Sequence, residues 1–194
     1  MILLAAVIIG LLAGFVRAKI YKRSIQPVRL KLEWLIIAAI LPQILVFFIP
    51  TTSAHVPNTW ASIILVSSLM ALFLFCLVNI RQPGFVLMSI GLLLNLLVIS
   101  LNGGLMPIRP EILGDPGFGG WQVGERYRLT KDVVLPLWQT RFWFFSDYFI
   151  TPNTLSTRYA FSLGDVILSI GVIRFFWSLG GPTHKLANFF GGNP

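Results

Sequence analysis

FVLMSIGLLLNLLVISLNGGLMP, residues 85–107, decides how the chain is read. Up to Leu101 the stretch is apolar apart from Ser89, Asn95 and Ser100, which predicts a buried or lipid-facing helix over 85–101. The glycine pair Gly103-Gly104 then permits a sharp turn, and Pro107 cannot continue a helix. Asn95 and Asn102, seven residues apart, share one helix face, so Asn95 is expected to bond a neighbouring helix and Asn102 to mark where that face ends.

Outward from this stretch the composition is consistent with it. Of 194 residues 56% are hydrophobic and 11% charged, with a mean hydropathy of +0.80. A water-soluble domain carries ~25% charged residues, so the polar groups here are too few to cover one. The expected fold class is all-α: an integral membrane helical bundle forming a single domain over 1–194. Apolar runs place five spans at about 1–16, 32–49, 60–80, 85–101 and 161–179.

Charge placement orients the spans. Arg17, Lys19, Lys22, Arg23, Arg29 and Lys31 lie in one loop, and Arg81 returns on the same side, as the positive-inside rule requires of a cytoplasmic face. The first apolar run precedes its basic residues, the reverse of a secretory signal, so it reads as a retained helix. Its Gly10 and Gly14 offer a place for close helix approach. The N-terminus is then outside, the tail 180–194 cytoplasmic, and the protein a multi-pass component of the cell membrane. A net charge of +8 concentrated beside a span points to anionic headgroups rather than nucleic acid.

Residues 102–160 form the outer loop. Pro107, Pro110, Pro116 and the glycines of 114–120 favour turns. The aromatic run 135–150 predicts a helix lying in the membrane interface. Its Trp138, Trp143, Phe144, Phe145 and Tyr148, with Phe189 and Phe190 of the tail, are the expected contact surfaces for other membrane protein subunits.

The residue hardest to place in lipid is Asp165, one turn into the last span. A carboxylate at the bilayer centre costs ~2.5–3.5 kcal/mol, and less toward the interface. Near the outer end it is expected to find Asn102, a loop amide or Arg158 as partner, so Asn95, Asn102, Gly103, Gly104 and Asp165 form one expected polar motif. Cys76, His55 and His184 have no metal-ligand spacing, and neither metal nor cofactor is expected.

Two resemblances follow from these motifs. Asn102-Gly103-Gly104-Leu105-Met106-Pro107 and Ser162-Leu163-Gly164-Asp165, with the short basic first loop, resemble a family of bacterial multi-pass membrane proteins to which no activity is assigned. Phe161 to Ile167 is similar to the F-N-x-A-D motif of lipoprotein signal peptidases, with Ser162 and Gly164 replacing Asn and Ala. That resemblance implies an aspartyl dyad of Asp147 and Asp165, although Phe144 stands where the family's upstream Asn would be. A transporter would show repeated halves with broken helices, whereas only Pro42 interrupts a span. The leading expectation is a non-catalytic accessory or scaffold subunit of a larger membrane complex; the peptidase-like enzyme and a small-solute transporter are the alternatives.

Overall fold

The computed structural model describes residues 2–25, 28–113, 120–127, 130–151 and 159–181. In chain order its helices are α1 (Ile2–Ile20), α2 (Trp34–Phe47), α3 (Pro50–His55), α4 (Asn58–Val78), α5 (Phe85–Leu101), α6 (Pro110–Leu113) and α7 (Leu163–Leu179). Between α5 and α7 a cap contains β1 (Met106–Ile108) parallel to β2 (Asp132–Val134), and β3 (Phe149–Ile150) antiparallel to β4 (Ala160–Phe161). The expected all-α character holds for the layer of long helices, and the cap departs from it with these two short ladders.

The long helices lie side by side in the order α1, α7, α5, α4, α2. The last helix in the chain therefore sits between the first and the fourth long ones. This order is set by small residues. A Cβ on Gly91 of α5 would meet the Gly164 carbonyl of α7 at 2.5 Å, and one on Gly171 would meet the Gly84 carbonyl at 2.8 Å. Gly10 of α1 faces α7, where an added Cβ would lie 3.1 Å from both Ile173 and Phe176, and Gly14 abuts the Phe176 carbonyl. Backbones stripped of side chains at their crossings approach closely, and dispersion contacts accumulate along the seam. Phe85 closes one end of this seam, edge-on to Phe175 at 5.4 Å and tilted against Phe75 at 5.7 Å.

Two elements differ from expectation. The second apolar run ends as a helix at Phe47 because Pro50 has no N–H and disfavours helical geometry in the residue before it. Pro50 instead opens α3 within what reads as a loop. The expected interfacial helix at 135–150 is replaced by two separate 3₁₀ turns, Leu137–Gln139 and Trp143–Phe145. Pro136 enters extended, the Thr140 hydroxyl donates to the Pro136 carbonyl, and Phe142 is left-handed at φ +54°. Both backbone groups of Arg141 that a helix would need are bound by Asn102.

Gly91→Ala should destabilise the protein by about 1–3 kcal/mol through forced separation of α5 and α7. Gly103, which has open space around it and only a left-handed φ of +83° to defend, should cost about 1–2 kcal/mol when replaced by Ala. Thermal unfolding of both variants checks the ranking.

Candidate functional site

The N-G-G-x-M-P stretch builds the site by turning the chain out of α5 and straight into a strand. Asn102 ends the helix with its amide donating to the Val98 carbonyl at 2.7 Å and the Arg141 carbonyl at 2.9 Å, while its oxygen accepts from the Arg141 N–H at 2.8 Å. Gly103 and Gly104 both take positive φ, and the Gly103 carbonyl accepts from Ser62 of α4 at 3.0 Å. Gly104 packs so tightly on Ser62 that a Cβ would approach its side chain to 2.5 Å.

Met106, Pro107 and Ile108 then lie between two other segments. Met106 pairs with Asp132, and Ile108 bridges to Asp147. Side chains two residues apart along a strand point to the same face, so the register brings the Asp132 and Asp147 side chains to one side of β1. Both are buried, at 9% and 2% exposure. Their charges face one another, each acting on the other's carboxyl group. Each leaves a buried Oδ1 without a hydrogen-bond donor, which favours protonation of a carboxyl there.

Lys131 supplies the cation, its Nζ 3.5 Å from Asp147 Oδ2. Burial by itself would lower the Lys131 ammonium, but Asp147, Asp165 and Asp132 more than offset this and hold it above the ordinary lysine range. Burial pushes the Asp147 carboxyl up to about 7, with the neighbouring Asp132 and Asp165 charges acting in the same sense and Lys131 against it. Burial also raises Asp132, although Lys131, Thr130 and Asp147 each pull it back. Two buried acids beside a single base that is itself partly exposed cannot both be charged at low cost. The pair therefore retains a proton toward neutral pH.

Asp165 stands nearby at the start of α7 with both oxygens engaged. Oδ1 accepts from Asn95 Nδ2 at 2.7 Å, and Oδ2 accepts from the Ser162 N–H at 3.2 Å. The Ser162 hydroxyl caps the helix by accepting from the Asp165 N–H at 3.0 Å, and it donates to Asn95 Oδ1 at 2.9 Å. This is a capping box extended onto a second helix. Asn95 reaches it because Gly164 leaves no side chain in the way.

Of the residues singled out in the sequence, Asn95 and Asp165 meet directly. Asn102 joins the cap to α5 on the Arg141 side instead of bonding Asp165, and Arg158 lies outside the described residues. Among the described residues no hydrogen bond links Asp147 to Asp165; they interact through their charges. Trp138 is exposed at 81%, and Phe142, Trp143 and Phe144 are also on the surface. Phe145 is half-buried against Phe144 with centroids 4.3 Å apart, and Tyr148 packs on Trp143 and under the Arg109 guanidinium, 4.0 Å from its ring. Phe189 and Phe190 lie outside the described residues. Asp132 and Lys131 escaped sequence reasoning, since nothing in a polar loop marks the register that buries them. Asn79 was also missed; at the end of α4 it donates to the Phe75 and Lys31 carbonyls and accepts from the Lys31 N–H, the same arrangement as Asn102.

These features define a mostly helical protein whose polar groups are gathered between its helices and under a small cap, and among the described residues two helices, α1 and α4, are long and apolar enough to cross a membrane. The chain belongs to DUF5317, a family of unknown function, whose model matches residues 27–177. It is 32% identical over 130 residues to an uncharacterised protein of Thermotoga maritima, covering 67% of this chain and 71% of that protein. No solved structure matches it.

The proton on the acidic pair makes stability depend on pH. Unfolded, Asp147 titrates near 3.8; folded, it keeps its proton to about pH 7. Between about pH 4 and 7 the folded state therefore binds more protons than the unfolded one, and stability should fall as pH rises through that window, by up to about 1.4 kcal/mol per pH unit for one proton. Unfolding midpoints measured from pH 4 to 8 should show this slope, and Asp147→Asn, neutral throughout, should flatten it.

Proposed function

We propose that this protein is a non-catalytic accessory or scaffold subunit embedded in a membrane by five helices, α1, α2, α4, α5 and α7, with its N-terminus outside and the cap on the outer face. An inverted distribution of polarity supports the membrane reading. Leu12, Ile37, Trp60 and Leu74 are at least half exposed on the outside of the helices, while Ser68, Ser89, Asn95 and Ser169 are buried between them. Lipid tolerates that arrangement and water does not, because apolar side chains then face the solvent while polar groups are kept inside.

The observation that carries the subunit role is the surface of the cap. Asp132 and Asp147 are buried within it, whereas Trp138, Phe142, Trp143 and Phe144 face outward. Tryptophan and phenylalanine give large contact area with few rotatable bonds, which suits a surface made for a neighbouring protein. The Asp165 carboxylate, with both oxygens bonded within the bundle, acts as a helix cap in this reading.

A second reading is favoured by one specific observation, two buried carboxyl groups, Asp132 and Asp147, set beside Lys131 and the charge of Asp165. Two carboxyls with one proton supply acid and base for attack of water on an amide. An intramembrane aspartyl peptidase of this kind would need the cap to open, since Asp147 is 2% exposed.

Gentle solubilisation followed by mass spectrometry of co-purifying proteins tests the first reading. A stoichiometric partner, lost in a Trp138→Ala/Trp143→Ala double variant that still folds, is expected; recovery as a lone monomer would overturn it. Asp132→Asn, Asp147→Asn and Asp165→Asn should leave the complex intact, and abolition of a peptide-cleaving activity by Asp132→Asn or Asp147→Asn would favour the second reading. Reporter fusions after Lys31 and after Glu125 should give opposite signals if the topology is right.

A further inference from the structure

We infer that the end of the bundle opposite the cap binds the phosphate headgroup of an anionic lipid between Arg81 and Arg174. A cavity of about 440 Å³ lies there, where the turn between α4 and α5 meets the last turns of α7. Arg81 and Arg174 both line it, and both are exposed. Among the described residues the ion pair present is Lys131 with Asp147, at the other end of the molecule, so neither arginine is neutralised by a carboxylate.

The surrounding charge acts in the same direction. Residues 1–101 contain a single acid, Glu33, against Arg17, Lys19, Lys22, Arg23, Arg29, Lys31 and Arg81. Arg17 is already committed, stacked on Trp177 at 4.9 Å and donating to its carbonyl at 3.1 Å. Arg81 and Arg174 are left lining the same cavity, and a guanidinium fork matches a phosphate's oxygens with two parallel hydrogen bonds. Gln82 adds an amide at the rim, and the first turn of α5, which no side chain caps, adds partial positive charge to the same cavity.

The remaining walls select the source of the phosphate. Ile80, Val86 and Leu87 line the cavity, and Ile80 and Val86 continue as exposed apolar surface. A free phosphate gains nothing from such walls, whereas the glycerol and upper acyl carbons of a lipid cover them. In the proposed topology this end lies in the cytoplasmic leaflet, where the attraction of anionic headgroups for basic side chains is strongest. The inference rests on the membrane reading and is independent of the subunit role.

The test is lipid binding by the purified full chain, followed by native mass spectrometry in detergent. Phosphatidylglycerol is titrated against phosphatidylcholine with the same acyl chains, and inorganic phosphate is added as competitor. Selective retention of phosphatidylglycerol is expected, reduced about fivefold by Arg81→Gln or Arg174→Gln and roughly 25-fold by both, the size expected for cations at a membrane surface. Lys19→Gln/Lys22→Gln, elsewhere on the same end, should leave it within about twofold, and Arg81→Lys/Arg174→Lys should retain more than the glutamine pair. Undiminished retention by a folded double glutamine variant, equal retention of phosphatidylcholine, or displacement by inorganic phosphate at the lipid's own concentration would overturn the assignment. Because the assay uses the isolated chain, its failure is separate from failure to find a partner subunit, and reporter fusions judge the topology on their own.

Discussion

The contact between α5 and α7 is the constraint on which the remaining structure depends. Gly91 lies against Gly164 and Gly84 against Gly171, so the two backbones touch along the whole seam. That closeness allows Asn95 to reach across and bond both the Asp165 carboxylate and the Ser162 hydroxyl. In an apolar surrounding these bonds are mutually required, since an unpaired amide or carboxylate there would carry its full desolvation cost. The network therefore fixes both register and rotation of α7, and α7 in turn provides the surface on which Gly10 and Gly14 of α1 rest.

Two asparagines fasten the loops to this layer by the same device. Asn79 ends α4 and Asn102 ends α5, each donating to the carbonyl four residues back and forming two opposed hydrogen bonds with a peptide distant in sequence, Lys31 and Arg141. One amide side chain thus satisfies a frayed helix carbonyl and replaces a strand partner for a loop. The clasp at Asn102 also explains why the aromatic run cannot form a helix, because it consumes the hydrogen bonds of Arg141.

The cap is organised around β1, which leaves α5 after only the glycine turn and receives β2 on one side and Asp147 on the other. Burying two charged aspartates against one lysine is costly, and burial accordingly raises both carboxyl groups. Arg109, stacked over Tyr148 and donating to its carbonyl at 2.9 Å, holds the Asp147 segment onto β1 from the far side. The cap's outer aromatic surface and its inner acidic pair are thus two faces of one small folded unit.

The sequence by itself determined the positions of the long helices, because apolar run length and breakers such as Pro50, Gly84 and the Gly103-Gly104 pair act locally. It also marked Asn95, Asn102 and Asp165, since polar groups inside apolar runs need partners wherever they fall. Only the tertiary structure decided which partner each one took. Spacing alone offered Asp165 a partner in Asn102, a loop amide or Arg158, and the absence of a side chain at Gly164 settled it for Asn95 instead. The meeting of Asp132 with Asp147, 15 residues apart in a loop without periodicity, depends on strand register across β1, and register is a long-range property that local composition does not encode.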